Sequence, residues 1–191
     1  MQTSQNKKLL IRVALLLGVG VICLVTVSFL VFRSLVVFIG PDERGLVISP
    51  YEPQGYRQEV LKPGNRFIYP GERVEIYNIF RQTYTIAKPD SIEATTLDGK
   101  KILVDVSITY ALDPNKIIEI HINWQNRYEK ELVRPLLREV IRNEISNLNS
   151  FEIESQFSQL EENIYKKLET EFNKNSLILL EFRIMSVQSP E

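Results

Sequence analysis

The chain has 191 residues, 23 basic and 24 acidic, for a formal net charge of −1. That balance leaves no basic footprint for nucleic acid. One cysteine, Cys23, and one histidine, His121, exclude a disulfide framework, a thiolate metal centre and a multi-histidine metal site.

Residues 1–8 read as a short polar tail and residues 9–39 as a transmembrane anchor. Val13 to Phe32 carries no charged residue, and a helix of that length spans about 30 Å, the hydrocarbon thickness of a bilayer. Val13, Leu17, Val21, Leu24, Phe29 and Phe32 represent the lipid-facing set. A cleaved signal peptide is the competing reading, because Lys7, Lys8 and Arg12 precede the run. The run is longer than a usual signal core, and it continues past Arg33 into Leu35-Val36-Val37-Phe38-Ile39 without a small-residue cleavage site. This favours an uncleaved anchor. The positive flank places the N-terminus in the cytoplasm or matrix and the head on the opposite side, periplasm or equivalent. Ala14 and Gly18 form a small-xxx-small pair suited to helix packing, although small residues are common in membrane helices generally.

Gly40-Pro41-Asp42-Glu43-Arg44-Gly45 is a turn cluster that ends the anchor. Residues 40–112 then read as an antiparallel, β-rich first subdomain. Leu46-Val47-Ile48 is a short strand, Tyr51 to Gly55 a turn, and two Pro-Gly turns, Pro63-Gly64 and Pro70-Gly71, enclose another strand. Val74, Ile76 and Asn78 alternate with Glu75 and Tyr77, and Gln82 to Ala87 alternates likewise. Asp98-Gly99 suits a two-residue type I′ hairpin turn. The strand after it places Ile102, Val104, Val106, Ile108 and Tyr110 on one face, as a half-buried strand does.

Residues 113–191 read as a helical second subdomain with one closing strand. Asp113-Pro114 is an N-cap and N1 for a short helix over Lys116–Ile122. A longer helix runs from about Arg127 to Leu148, kinked or broken at Pro135. Another covers about Ile153 to Phe172, with Ile153, Phe157, Leu160, Ile164, Leu168 and Phe172 three or four apart. Asn173 or Asn175 ends it in the left-handed conformation. Leu177 to Val187 is a strand with Ile178, Leu180, Phe182 and Ile184 on one side. Ser189-Pro190-Glu191 has the pattern of a helix start.

No constellation for catalysis emerges. The chain lacks a phosphate loop outside the apolar run, a G-x-S-x-G elbow, an H-E-x-x-H helix and a C-x-x-C pair. His121 has no identifiable nucleophile, and reads as structural. Glu161-Glu162 and Lys166-Lys167 read as a solvated helix face, and Trp124 as a core or membrane-proximal contact. No catalytic, cofactor-binding or metal residue is assigned.

Taken in order, the segments resemble the SPFH, or Band 7, superfamily of stomatins, prohibitins and flotillins. The likeness rests on the anchor followed by Val36 to Val47, and on Leu61-Lys62-Pro63-Gly64-Asn65-Arg66-Phe67-Ile68-Tyr69-Pro70. It rests also on Thr96-Leu97-Asp98-Gly99-Lys100 with Val104-Asp105-Val106-Ser107-Ile108-Thr109-Tyr110, on Leu136 to Arg142, and on the final strand. Pro63, Gly64, Pro70, Asp98, Gly99 and Asp105 are its motif residues. The prohibitin-like branch is nearest.

The resemblance implies an α+β head of two subdomains on a single N-terminal transmembrane helix. It implies no catalysis and no cofactor. Its implied partners are membrane lipid, homo- or hetero-oligomers with other SPFH proteins, and a membrane AAA protease or another membrane complex. Family members continue past the last strand into a long coiled-coil helix, whereas this sequence ends at Glu191. Two functions follow: an oligomeric scaffold that organises or regulates membrane proteins, or a single-copy accessory subunit of a larger membrane complex.

Overall fold

A computed structural model describes residues 17–29, 32–33 and 35–188. Val13 and Ala14 of the expected anchor, and Ser189 to Glu191, lie outside them. Residues 17–29 form an exposed helix, α1, which carries Leu17, Gly18, Val21, Leu24 and Phe29. Among the described residues no helix is long and apolar enough to cross a membrane.

The head begins with a two-stranded ribbon, in which β1 (Val36–Ile39) pairs antiparallel with β4 (Gly64–Phe67). Beside it, β2 (Glu43–Ile48) lies between β3 (Tyr56–Leu61) and β5 (Arg73–Asn78). The main sheet is built on β8 (Lys101–Leu112). Along one edge run β6 (Gln82–Ile86), opposite Val106 to Tyr110, and β7 (Ile92–Thr95), opposite Lys101 to Val104. The closing strand β9 (Leu177–Gln188) pairs with β8 over the span of both, so it occupies the opposite edge. This sheet joins strands from both sides of residue 112.

Alternation in β8 sends Ile102, Val104, Val106, Ile108 and Tyr110 into the core, as the sequence pattern requires. Two helices cover that face. α3 (Arg134–Ser146) contributes Leu137, Ile141 and Ile145, and α5 (Phe157–Lys174) contributes Leu160, Ile164, Leu168 and Phe172. The Phe172 ring meets the edge of Tyr110 at 5.9 Å. Each fully buried aliphatic side chain in such a layer contributes about 1.5–3 kcal/mol.

Several local expectations change. Inward alternation in β5 falls on Tyr77, which is buried, while Ile76 is exposed. The hairpin turn is longer than two residues: the Gly99 N–H donates to the Thr96 carbonyl, and Gly99 alone has positive φ, at 78°. Asp98 is instead a staple. Its carboxylate accepts from the Thr96 hydroxyl (2.6 Å) and from the Ser150 hydroxyl (2.7 Å) and N–H (3.0 Å), and these bonds hold it well below the usual carboxylate range. Asp113 does not cap the short helix α2 (Ile117–Asn123), whose N-cap is Lys116. Asp113 caps the preceding turn through the Asn115 N–H.

The predicted long helices are also broken. Gln125–Arg127 is a 3₁₀ turn and Glu129–Val133 a π turn, so Pro135 falls in the first turn of α3, where its missing N–H costs nothing. The next helix divides at Gln156, with α4 (Ser150–Ser155) ahead of α5; Asn149 and Glu152 form a capping box on α4. The left-handed residue that ends α5 is Ser176, at φ 65°, rather than either asparagine. In β9, Leu180 and Met185 are the extra residues of two bulges. The buried set is therefore Leu177 and Leu179, then Phe182 and Ile184, because each bulge shifts the alternation by one residue.

Gly99→Ala has open space for its Cβ, so the expected loss of about 1 kcal/mol is purely conformational. Urea unfolding should show that drop, with Lys100→Ala near neutral.

Candidate membrane-facing surface

The end of the head next to α1 is aromatic. Phe32 packs against Phe67 with ring centroids 5.9 Å apart, and the Ile68 N–H donates to the Leu35 carbonyl. Register in the ribbon pairs Val36 with Phe67 and Phe38 with Asn65, so Val36, Phe38 and Phe67 share one face. Phe38 is 66% exposed and Phe67 63%. Tyr69 (64%) and Tyr51 (65%) project from the two adjoining loops. The α1 side chains that lead into this end, Leu17, Val21, Leu24 and Phe29, are exposed as well.

These loops are held by buried chemistry. Tyr69 to Glu72 is a turn with Pro70 and then Gly71, whose φ is 87°, and the Glu72 N–H bonds to the Tyr69 carbonyl. The Tyr51 hydroxyl donates to the Pro70 carbonyl at 2.5 Å. Behind the turn, Glu72 is almost wholly buried and takes a two-pronged bond from Arg57, at 2.9 and 2.6 Å. Glu72 also accepts from the Tyr69 N–H at 2.7 Å, and the Arg57 guanidinium lies 4.7 Å from the centre of the Tyr69 ring. Burial alone would raise the Glu72 carboxyl. The Tyr69 N–H, the Ser49 hydroxyl and Arg57 together outweigh it and hold the group below its ordinary value.

The other motif residues serve structural roles. Arg66 closes the Pro63-Gly64 turn through the Lys62 and Pro63 carbonyls. Asp105 accepts from Ser91 (2.5 Å) and Ser186 (2.8 Å), which ties the loop before β7 to β9. His121 ties α2 to the three-stranded sheet: its Nδ1 lies 2.7 Å from the Tyr77 hydroxyl, and its ring meets the edges of Tyr56 and Tyr77. Burial pushes the Tyr77 hydroxyl up to about 12. Trp124 packs partly buried against the core. The expected solvated face on α5 is only partly so, because Glu161 accepts from the Ile184 N–H and Lys167 pairs with buried Glu144. Among the described residues no cluster of three histidine, cysteine or carboxylate groups could hold a metal ion.

Sequence periodicity points to neither Tyr51 and Tyr69 nor the Arg57–Glu72 pair. Tyr51, Tyr69 and Glu72 sit in loops, Arg57 stands in β3, and the charged partners are fifteen positions apart. The turn signals at Tyr51 to Gly55 and at Pro70-Gly71 alone mark the place.

Chemically this end can partition into a lipid headgroup layer, where tyrosine keeps its hydroxyl wet and its ring apolar.

The SPFH domain / Band 7 family pattern matches residues 37–191. The chain belongs to that family. It is also similar to prohibitin-2 of Dictyostelium discoideum, at 26% identity over 154 residues, 79% of this chain and 50% of that protein. The chain thus spans about half the length of this curated relative. Together these matches support a prohibitin-like SPFH member with the α+β head expected of it.

The lowered Glu72 carboxyl contributes stability that is present above the unfolded carboxylate value and is lost as pH falls through the lower native one. Glu72→Gln should cost about 2 kcal/mol at neutral pH, and should flatten the acid side of a stability–pH curve measured by urea unfolding.

Proposed function

We propose that this chain is a single-pass membrane scaffold. The run from Val13 to Phe32 anchors it, with the N-terminus in the cytoplasm or matrix and the folded head on the opposite side. The head oligomerises with SPFH proteins and organises or regulates other membrane proteins, a membrane AAA protease among them. The observation that carries this reading is the continuity of the apolar run, through exposed α1, with the exposed aromatic end of a family-matched head. The apolar exposure of α1 is costly in water and favourable in lipid. Proximity of Phe32 to Phe67 brings the ribbon to the same level, so Phe38, Phe67, Tyr51 and Tyr69 form the interfacial contact. Residues 40–112 act as the membrane-proximal subdomain and residues 113–191 as the distal one. Ala14 and Gly18 are assigned to helix packing within the bilayer.

The test is extraction in mild detergent, native mass determination and identification of what copurifies, alongside alkali washing of the membranes. The scaffold reading predicts an alkali-resistant chain in a large particle containing several SPFH copies. A monomer without a membrane partner contradicts it, and one copy in a defined complex makes it an accessory subunit.

A further inference from the structure

Beyond the membrane contact, we infer that the outer side of α3 is a docking surface for an acidic segment of a partner protein. Arg134, Arg138 and Arg142 recur every fourth residue, which places their guanidinium groups in one row along the helix. The row lines a shallow groove with Pro135, Glu139 and Asn143. Its inner side is fixed by the head itself. Asp90 bonds Arg134 at 2.5 Å and Arg138 at 2.9 Å through its two carboxylate oxygens. Arg138 also donates to the Asp90 carbonyl, and Arg142 to the Glu93 carbonyl, both at 2.9 Å.

These bonds orient the row without using it up. Each guanidinium has five donors, and one carboxylate serves two arginines. Exposed Lys88 lies two residues before Asp90, and exposed Lys130 one turn before Arg134. Three arginines therefore line the groove and two lysines flank it in sequence, against Asp90, Glu93, Glu131 and Glu139, on a chain whose net charge is −1. Preordered arginines bind carboxylates at low entropic cost, in two-pronged geometry.

The occupant is a segment of another protein rather than a second copy. Half of the exposed glutamates among the described residues are engaged at home: Glu93, Glu131, Glu162 and Glu181 each pair with a cation of this chain. A lipid surface is disfavoured by position. α3 packs on β7 of the main sheet and runs toward the β7–β8 turn, where the Leu97 N–H meets the Leu148 carbonyl, whereas Phe67 belongs to the separate β1–β4 ribbon.

The experiment is fluorescence anisotropy with the full chain in detergent. The probe is a labelled alanine–glutamine helix bearing glutamate at every fourth position, and the control is its all-glutamine counterpart. The acidic peptide should bind, and should weaken as salt rises. The Lys88→Glu/Lys130→Glu double variant, which touches none of the bonds that hold α3, should bind about tenfold more weakly with an unchanged circular dichroism spectrum. Equal binding of the control peptide, salt-independent binding, or full affinity in the folded double variant overturns the proposal. None of these readouts depends on the anchor or on oligomer size, so the scaffold reading can fail while this one stands.

Discussion

The head depends on the inward row of β8. Val104, Val106, Ile108 and Tyr110 are each 1% exposed or less, and the layers of the main sheet are placed by that strand. β6 and β7 take one edge and β9 the other, while α3 and α5 close over the apolar face. A strand of twelve residues with neighbours on both edges fixes its register strongly, because a slip by one residue would turn the whole apolar row to solvent. β9 is held over the same span yet carries two bulges, so the chain can twist across α5 without losing its buried positions.

Around this frame, polar staples set the geometry of connections that hydrophobic burial leaves open. Asp98 ties the β7–β8 turn to the start of α4, Asp105 ties the loop before β7 to β9 through serine hydroxyls, and Glu72 with Arg57 fixes the turn that presents Tyr69. Each bond system joins segments distant in sequence. Each satisfies a carboxylate with several donors, the condition under which a partly buried charge is tolerated. The aromatic end inherits its order from the last of these. Its tyrosines stand on loops held by the Glu72 bond to the Tyr69 N–H and by the Tyr51 hydroxyl bond to the Pro70 carbonyl.

Much of the architecture was legible because it is periodic. The β8 row and the α5 row of Leu160, Ile164, Leu168 and Phe172 follow directly from spacings of two and of three to four. What stayed hidden was aperiodic. A bulge at Leu180 inverts the apparent face of β9, and nothing in the local residues marks it. Pro135 signals a disturbance, but its resolution as a preceding π turn depends on how Leu132 and Val133 reach the core. The motif residues Asp98 and Asp105 were legible as a resemblance. Their roles as staples needed the fold, because Ser150 and Ser186 are 52 and 81 positions away.

The central claim is that the aromatic end of the head sits at a bilayer surface with the β7–β8 pole pointing away. The most direct measurement is fluorescence quenching by brominated lipid, with the full chain reconstituted in bilayers and Trp124 replaced by phenylalanine. A single tryptophan is then placed at Tyr69 or at Phe151, the exposed side chain next to Ser150 and the β7–β8 turn. The account predicts strong quenching at position 69 and none at 151. Equal quenching at both positions, or quenching confined to 151, would contradict it.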